Sequence, residues 1–100
     1  RIQNLASKLT PRHIISVCAK HFNIKTGELS GKSRKKDLVA ARHITAYLLL
    51  TEINLPLEEV GRLLGGRDHT SIMHARDKIH TDISTNSQTK NLIHQIKSQF

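Results

Sequence analysis

An all-α fold of about six helices, containing a helix-turn-helix, is predicted by three features of this 100-residue chain. Apolar residues recur at i, i+3/i+4 spacing in most segments, the period of a helix with one buried face. Thr10-Pro11, Asp68 and Asn86 stand where helix N-caps are wanted. Gly65-Gly66 separates two helical patterns by a tight turn. The chain is hydrophobic at 37% of positions and aromatic at 3%. The core is therefore expected to be small and aliphatic. One domain is what this length supports. Residues 1–9 read as a connector from an upstream domain and 10–100 as the helix-turn-helix domain. With Arg1 and no initiator Met at its start, the chain is expected to be a piece of something longer.

Residues 1–9 place Ile2, Leu5, Ala6 and Leu9 at helical spacing. Thr10 caps the next helix and Pro11 takes its first position, where a missing N–H costs nothing. Ile14, Ile15, Val17, Cys18 and Phe22 form its stripe, and it should end near Asn23. Cys18 is the one cysteine and lies within that stripe, so it reads as a buried thiol. Thr26 to Leu29 is a single short turn with Leu29 inward.

Ser30 to Lys36 then brings four bases in seven residues, with Gly31 as a flexible point and nothing apolar to bury. It is an exposed basic loop. Such loops set Lys or Arg against phosphates, here Lys32 and Lys35, or push an Arg into a minor groove. Asp37 reads as the N-cap of the longest helix, about Leu38 to Asn54. Apolar residues surround most of that helix, as on a central helix packed on several sides. Arg42 and His43 are its polar exceptions, close to the loop. Pro56 to Leu64 is a short helix closed by Gly65-Gly66. The following helix starts near Asp68 and buries Ile72, Ala75, Ile79 and Ile83, leaving His69, Thr70, Met73, His74 and Asp77 outward. Asn86 caps a last helix with Leu92, Ile93, Ile96 and Phe100 inside.

The net charge is +8, which points to a polyanionic partner. Residues 1–54 hold ten Lys/Arg against three acids, net +7, whereas residues 55–100 hold six against five, net +1. Attraction belongs to the front half, and the rear half must contribute something else. Reading bases in a major groove needs hydrogen-bonding side chains and a little apolar surface. His69, Thr70 and Ser71 offer these at a helix N-terminus. Asp68 either accepts from a cytosine amino group or only caps the helix.

Other chemistry is excluded by spacing. His69 and His74 lie about 140° apart around a helix and share no face. There is no Cys-x-x-Cys and no His-Glu-x-x-His; Gly31-Lys32-Ser33 does not make a Gly-rich phosphate loop, since Thr26 stands where its first glycine would be, and no nucleophile is placed for catalysis. Neither a metal site, a cofactor, a small-molecule substrate nor catalysis is expected in this stretch. No signal peptide is recognisable, and the longest apolar run, Ala46 to Leu50, is too short to span a bilayer. A reducing, cytoplasmic setting is the expectation.

Val60-Gly61, then Leu64-Gly65-Gly66-Arg67-Asp68-His69-Thr70-Ser71, then His74-Ala75 closely resembles the signature of the C-terminal DNA-binding domain of the bacterial DnaA replication-initiator family. The likeness extends through the Pro56 region, Arg42 and the Lys32–Lys36 loop, back to about Thr10. It implies an all-helical domain that binds double-stranded DnaA boxes, short asymmetric sites of the TTATCCACA type at the replication origin. It implies that Arg34 enters the minor groove and that Asp68, His69, Thr70 and Ser71 meet bases or flanking phosphates in the major groove. Arg42, His43, Arg67 and His74 would be phosphate contacts that fix the docking pose. ATP binding and self-assembly are implied for other domains of the family protein. Three positions depart from the family pattern: Ser71 where Thr is usual, His43 where Gln is frequent, Leu50 where a basic residue is common. Ser71 keeps the hydroxyl and loses the methyl that would touch a thymine. Two other readings stand beside this one: a helix-turn-helix regulator of another family, and a protein-interaction module with a basic surface.

Overall fold

The computed structural model describes residues 9–100. The connector expected over residues 1–9 lies outside them except for Leu9, which packs against the core. Among the described residues there are six helices and no strand: α1 Pro11–His21, α2 Thr26–Leu29, α3 Lys36–Glu52, α4 Leu57–Leu63, α5 His69–Thr85 and α6 Ser87–Lys97.

The expected caps open three of the six helices. The Thr10 hydroxyl accepts the His13 N–H at 3.1 Å, with Pro11 opening α1. Asn86 Oδ1 accepts the Gln88 N–H at 2.9 Å at the start of α6. α3 differs from expectation. It starts two residues earlier, at Lys36, with Lys35 as an N-cap that makes no side-chain bond. Asp37 is therefore not the cap. It sits in the first turn, where its charge favours the positive end of the helix dipole. The ends expected near Asn23 and Asn54 fall two residues earlier, at His21 and Glu52. Both asparagines lie just beyond, in left-handed conformation (φ 57° and 55°), and turn the chain.

α3 is the central element. It packs most extensively against α5, then α1, and also meets α2 and α4; α5 in turn packs on α4 and α6. Its buried residues face several neighbours: Ala41, Ile44, Ala46, Leu48 and Leu49. Around them lie Ile14, Leu29, Val60, Leu64, Ile72, Ile79 and Ile96, an aliphatic core as expected. Cys18 is fully buried beside the Thr45 hydroxyl, and burial pushes its thiol up to about 11. Thr45 donates to the Ala41 carbonyl at 2.7 Å, so its polarity is satisfied inside the core.

α4 and α5 are joined by the expected tight turn. The Gly61 carbonyl accepts both the Gly66 and the Arg67 N–H, each at 2.9 Å. A Cβ on Gly61 would stand 2.0 Å from the Arg67 oxygen, so only glycine lets the chain fold back this closely. Gly65 and Gly66 take φ of 89° and 79°.

Candidate nucleic-acid interface

Asp68 starts the exposed end of α5. Its Oδ1 accepts the Ser71 N–H at 2.8 Å, which settles its capping role. The Ser71 backbone and hydroxyl bonds hold the Asp68 carboxyl below the ordinary carboxylate range. His69, Thr70, Ser71 and His74 are all exposed. Ile72 and Ala75, both buried, fix that end of the helix in the core.

Lys32, Arg34 and Lys35 point outward from the loop between α2 and α3. Between this loop and the start of α5 runs a groove of about 630 Å³. Of the residues singled out from sequence, Lys32, Arg34, Arg42, His43, Arg67 and Ser71 line it, over a floor that includes Ala46, Ile72 and Ala75. Lys35, Asp68, His69, Thr70 and His74 lie outside the groove lining. The fold thus brings the basic loop and the polar helix end, separated by some 35 residues of sequence, to two sides of one cleft.

Two arginines do not stand where an exposed phosphate contact would. Arg42 is only 7% exposed. Its Nε donates to the Leu29 carbonyl at 2.8 Å, and its terminal nitrogens donate to the carbonyls of Glu28, Gly31 and Ser33 at 3.3 Å. The expectation of Arg42 as an outward phosphate contact is corrected on this point: its donors are spent on the loop backbone. Arg67 is half-buried and donates to the Leu64 carbonyl and, at 2.7 Å, to the Gly31 carbonyl. Burial, and then the like charge of Arg67, lower the Arg42 pKa from the ordinary guanidinium value.

His43 is partly buried in the groove. Burial lowers its pKa first; the positive charges of Lys78, Arg42 and Arg67 lower it further, against a smaller opposing effect of Asp82. The groove is therefore electropositive at its wall even with this imidazole neutral. Lys78 was not singled out from sequence. The signal was there: Ser71, His74 and Lys78 follow at i, i+3 and i+7, one face of α5. Ser33 was missed too. It lines the groove, its carbonyl accepts from Arg42, and its hydroxyl accepts the Lys35 N–H at 3.2 Å.

Among the described residues, no three His, Cys, Asp or Glu side chains gather as metal ligands would. No helix among them is long and apolar enough to cross a membrane.

The family described as bacterial dnaA protein helix-turn-helix matches residues 11–79, which hold the loop, α3, the Gly-Gly turn and the exposed end of α5. The chain belongs to that family. Full-length relatives agree. The chromosomal replication initiator protein DnaA of Corynebacterium jeikeium is 40% identical over 95 residues, 91% of this chain and 16% of that protein. DnaA of Thermomicrobium roseum is 37% identical over 83 residues, 83% of this chain and 18% of that protein. DnaA of Ureaplasma parvum is 40% identical over 91 residues, 90% of this chain and 20% of that protein. The chain spans about a fifth of the length of the relatives it matches. None of these matches favours a helix-turn-helix regulator of another family.

Proposed function

We propose that this domain binds double-stranded DNA at DnaA-box sites of a replication origin, and that it serves chromosome replication initiation by doing so. The observation that carries the reading is the shared groove: a basic loop faces the exposed, hydrogen-bonding end of a helix-turn-helix recognition helix. His69, Thr70 and Ser71 read base edges in the major groove. Arg34 enters the neighbouring minor groove. Lys32, Lys35, His43 and His74 meet phosphates, with Lys78 added from α5. Arg42 and Arg67 act on the loop. Asp68 caps α5 through Oδ1 and, in this reading, also accepts from a cytosine amino group. The charge division fits this assignment, since the loop attracts any duplex and the helix end selects among them.

Fluorescence anisotropy on a box duplex and a scrambled duplex, at equal salt, tests the reading. Tighter binding to the box is expected; equal affinities overturn it. Within it, Thr70→Ala should remove about 1–3 kcal/mol of discrimination. Lys35→Ala should weaken both duplexes alike and reduce the salt slope by about one. A Thr70→Ala variant that weakened both sequences equally would take Thr70 out of the base-reading set.

A further inference from the structure

The loop from Ser30 to Lys35 has no side chain to bury, yet its backbone is tied down. Four carbonyls in and beside it, those of Glu28, Leu29, Gly31 and Ser33, accept from one guanidinium, that of Arg42. The Gly31 oxygen also accepts from Arg67, 36 residues further along the chain. Arg67 sits in the helix-turn-helix turn and holds the Leu64 carbonyl with its other nitrogen. A third contact needs no side chain. A Cβ on Gly65 would stand 2.1 Å from the Ser30 oxygen, so the turn backbone is seated directly on the loop backbone.

Two like charges would not converge on one carbonyl without a return. Here the return is a full set of acceptors: among the described residues no buried side-chain nitrogen or oxygen lacks a hydrogen-bond partner. A planar guanidinium can donate in several directions at once from a fixed fork, which an ammonium on a flexible stem cannot reproduce.

We infer that Arg42 and Arg67 are positioning residues that latch the basic loop to the helix-turn-helix, so that Arg34 and the α5 N-terminus are presented to DNA as one rigid unit. This rests on the DNA-binding reading above. The latch removes the loop's freedom before binding, so docking one arm places the other without a further entropic cost. It also fixes the distance between the two arms, and so the spacing of the bases they meet. In this account Arg42 sharpens affinity without touching the nucleic acid.

The test uses Arg42→Lys and Arg67→Lys, which keep the charge and lose the fork. In the free domain, backbone ¹⁵N order parameters over residues 31–35 should fall from about 0.85 toward about 0.6. On the box duplex, a double-mutant cycle with Arg34→Ala reads the coupling. Arg34→Ala should cost about tenfold in affinity in the native background and less than about threefold beside Arg42→Lys, because an unlatched Arg34 contributes little to lose. Unchanged order parameters, or additive losses, overturn the latch. Where Arg42→Lys fails to fold, Arg67→Lys, whose side chain is half-buried, carries both measurements. A native domain that does not distinguish box from scrambled duplex defeats the DNA reading instead, and the order parameters still decide the latch.

Discussion

The two connections that frame the groove keep their shape by opposite means. The turn from Leu64 to Asp68 is shaped mostly by its own neighbourhood. The Gly61 carbonyl takes two of its N–H groups, two glycines supply the left-handed residues, and Asp68 caps the next helix. The loop from Ser30 to Lys35 has little of its own: the Gly31 N–H reaches the Glu28 carbonyl at 3.2 Å and the Ser33 hydroxyl accepts from Lys35. The rest of its order comes from outside it, from Arg42 and Arg67 at sequence separations of 9 to 36 residues and from the Gly65 backbone seated on Ser30. One connection is encoded where it lies, the other is held from elsewhere. A local code can be broken only by changing the turn itself, whereas a borrowed shape is lost by a substitution a helix away.

The largest expected effect follows from the point where the two meet. Gly65→Ala would force a Cβ into a left-handed residue and into the Ser30 carbonyl at once. A loss of about 3 kcal/mol is expected in urea unfolding, the sum of backbone strain and a clash with backbone that cannot step aside. The groove should loosen too, because its two rims are pushed apart. A loss under about 1 kcal/mol would mean that turn and loop move independently, and would break the comparison.

A smaller effect probes the turn's own code. The Asp68 carboxyl is held below the ordinary value of 3.8 by the Ser71 N–H and hydroxyl. Because the folded pKa is the lower one, the charged cap stabilises the fold fully above the unfolded value. That contribution is lost as pH falls through the depressed folded pKa. Asp68→Asn keeps an acceptor oxygen and removes the titration. The urea midpoint of Asp68→Asn should therefore fall less than that of the native domain on acidification below about pH 4. Parallel curves would show that the cap works by geometry alone.

This contrast also explains what could be read in the sequence. Thr10-Pro11, Gly65-Gly66, Asp68 and Asn86 are local signals, and the elements they punctuate stand where they were expected. The apolar stripes of α1, α3 and α5 were equally legible, because burial imposes a period. Asp37 misled because a carboxylate near a helix start serves equally well in the first turn, and no local rule separates the two. Arg42 misled for a deeper reason. In a string of letters, a polar residue on an apolar helix reads as surface. Only the path of the loop above it shows that four carbonyls wait for its guanidinium. The same holds for Lys78, whose importance lies in facing His43 on another helix.

Gly31 provides the smallest effect and the finest distinction. Read alone, a glycine among lysines and serines is a flexible point, and flexibility is what a DNA-seeking loop would want. The structure gives it another role. Its φ is not left-handed, and an added Cβ would meet the Glu28 oxygen at 3.5 Å and the Gly27 oxygen at 3.6 Å, both ordinary contacts. What the latch uses is the Gly31 carbonyl, which alanine also has. Gly31→Ala should therefore raise stability by about 0.5 kcal/mol, through lost freedom of the unfolded chain, and leave box affinity within about twofold. If the loop instead worked by bending at Gly31, the same change would weaken box binding severalfold while leaving stability untouched. The two glycine-to-alanine changes, Gly65 and Gly31, thus bear opposite signs for one reason: the turn needs glycine for its conformation, and the loop needs only the oxygen that two arginines hold.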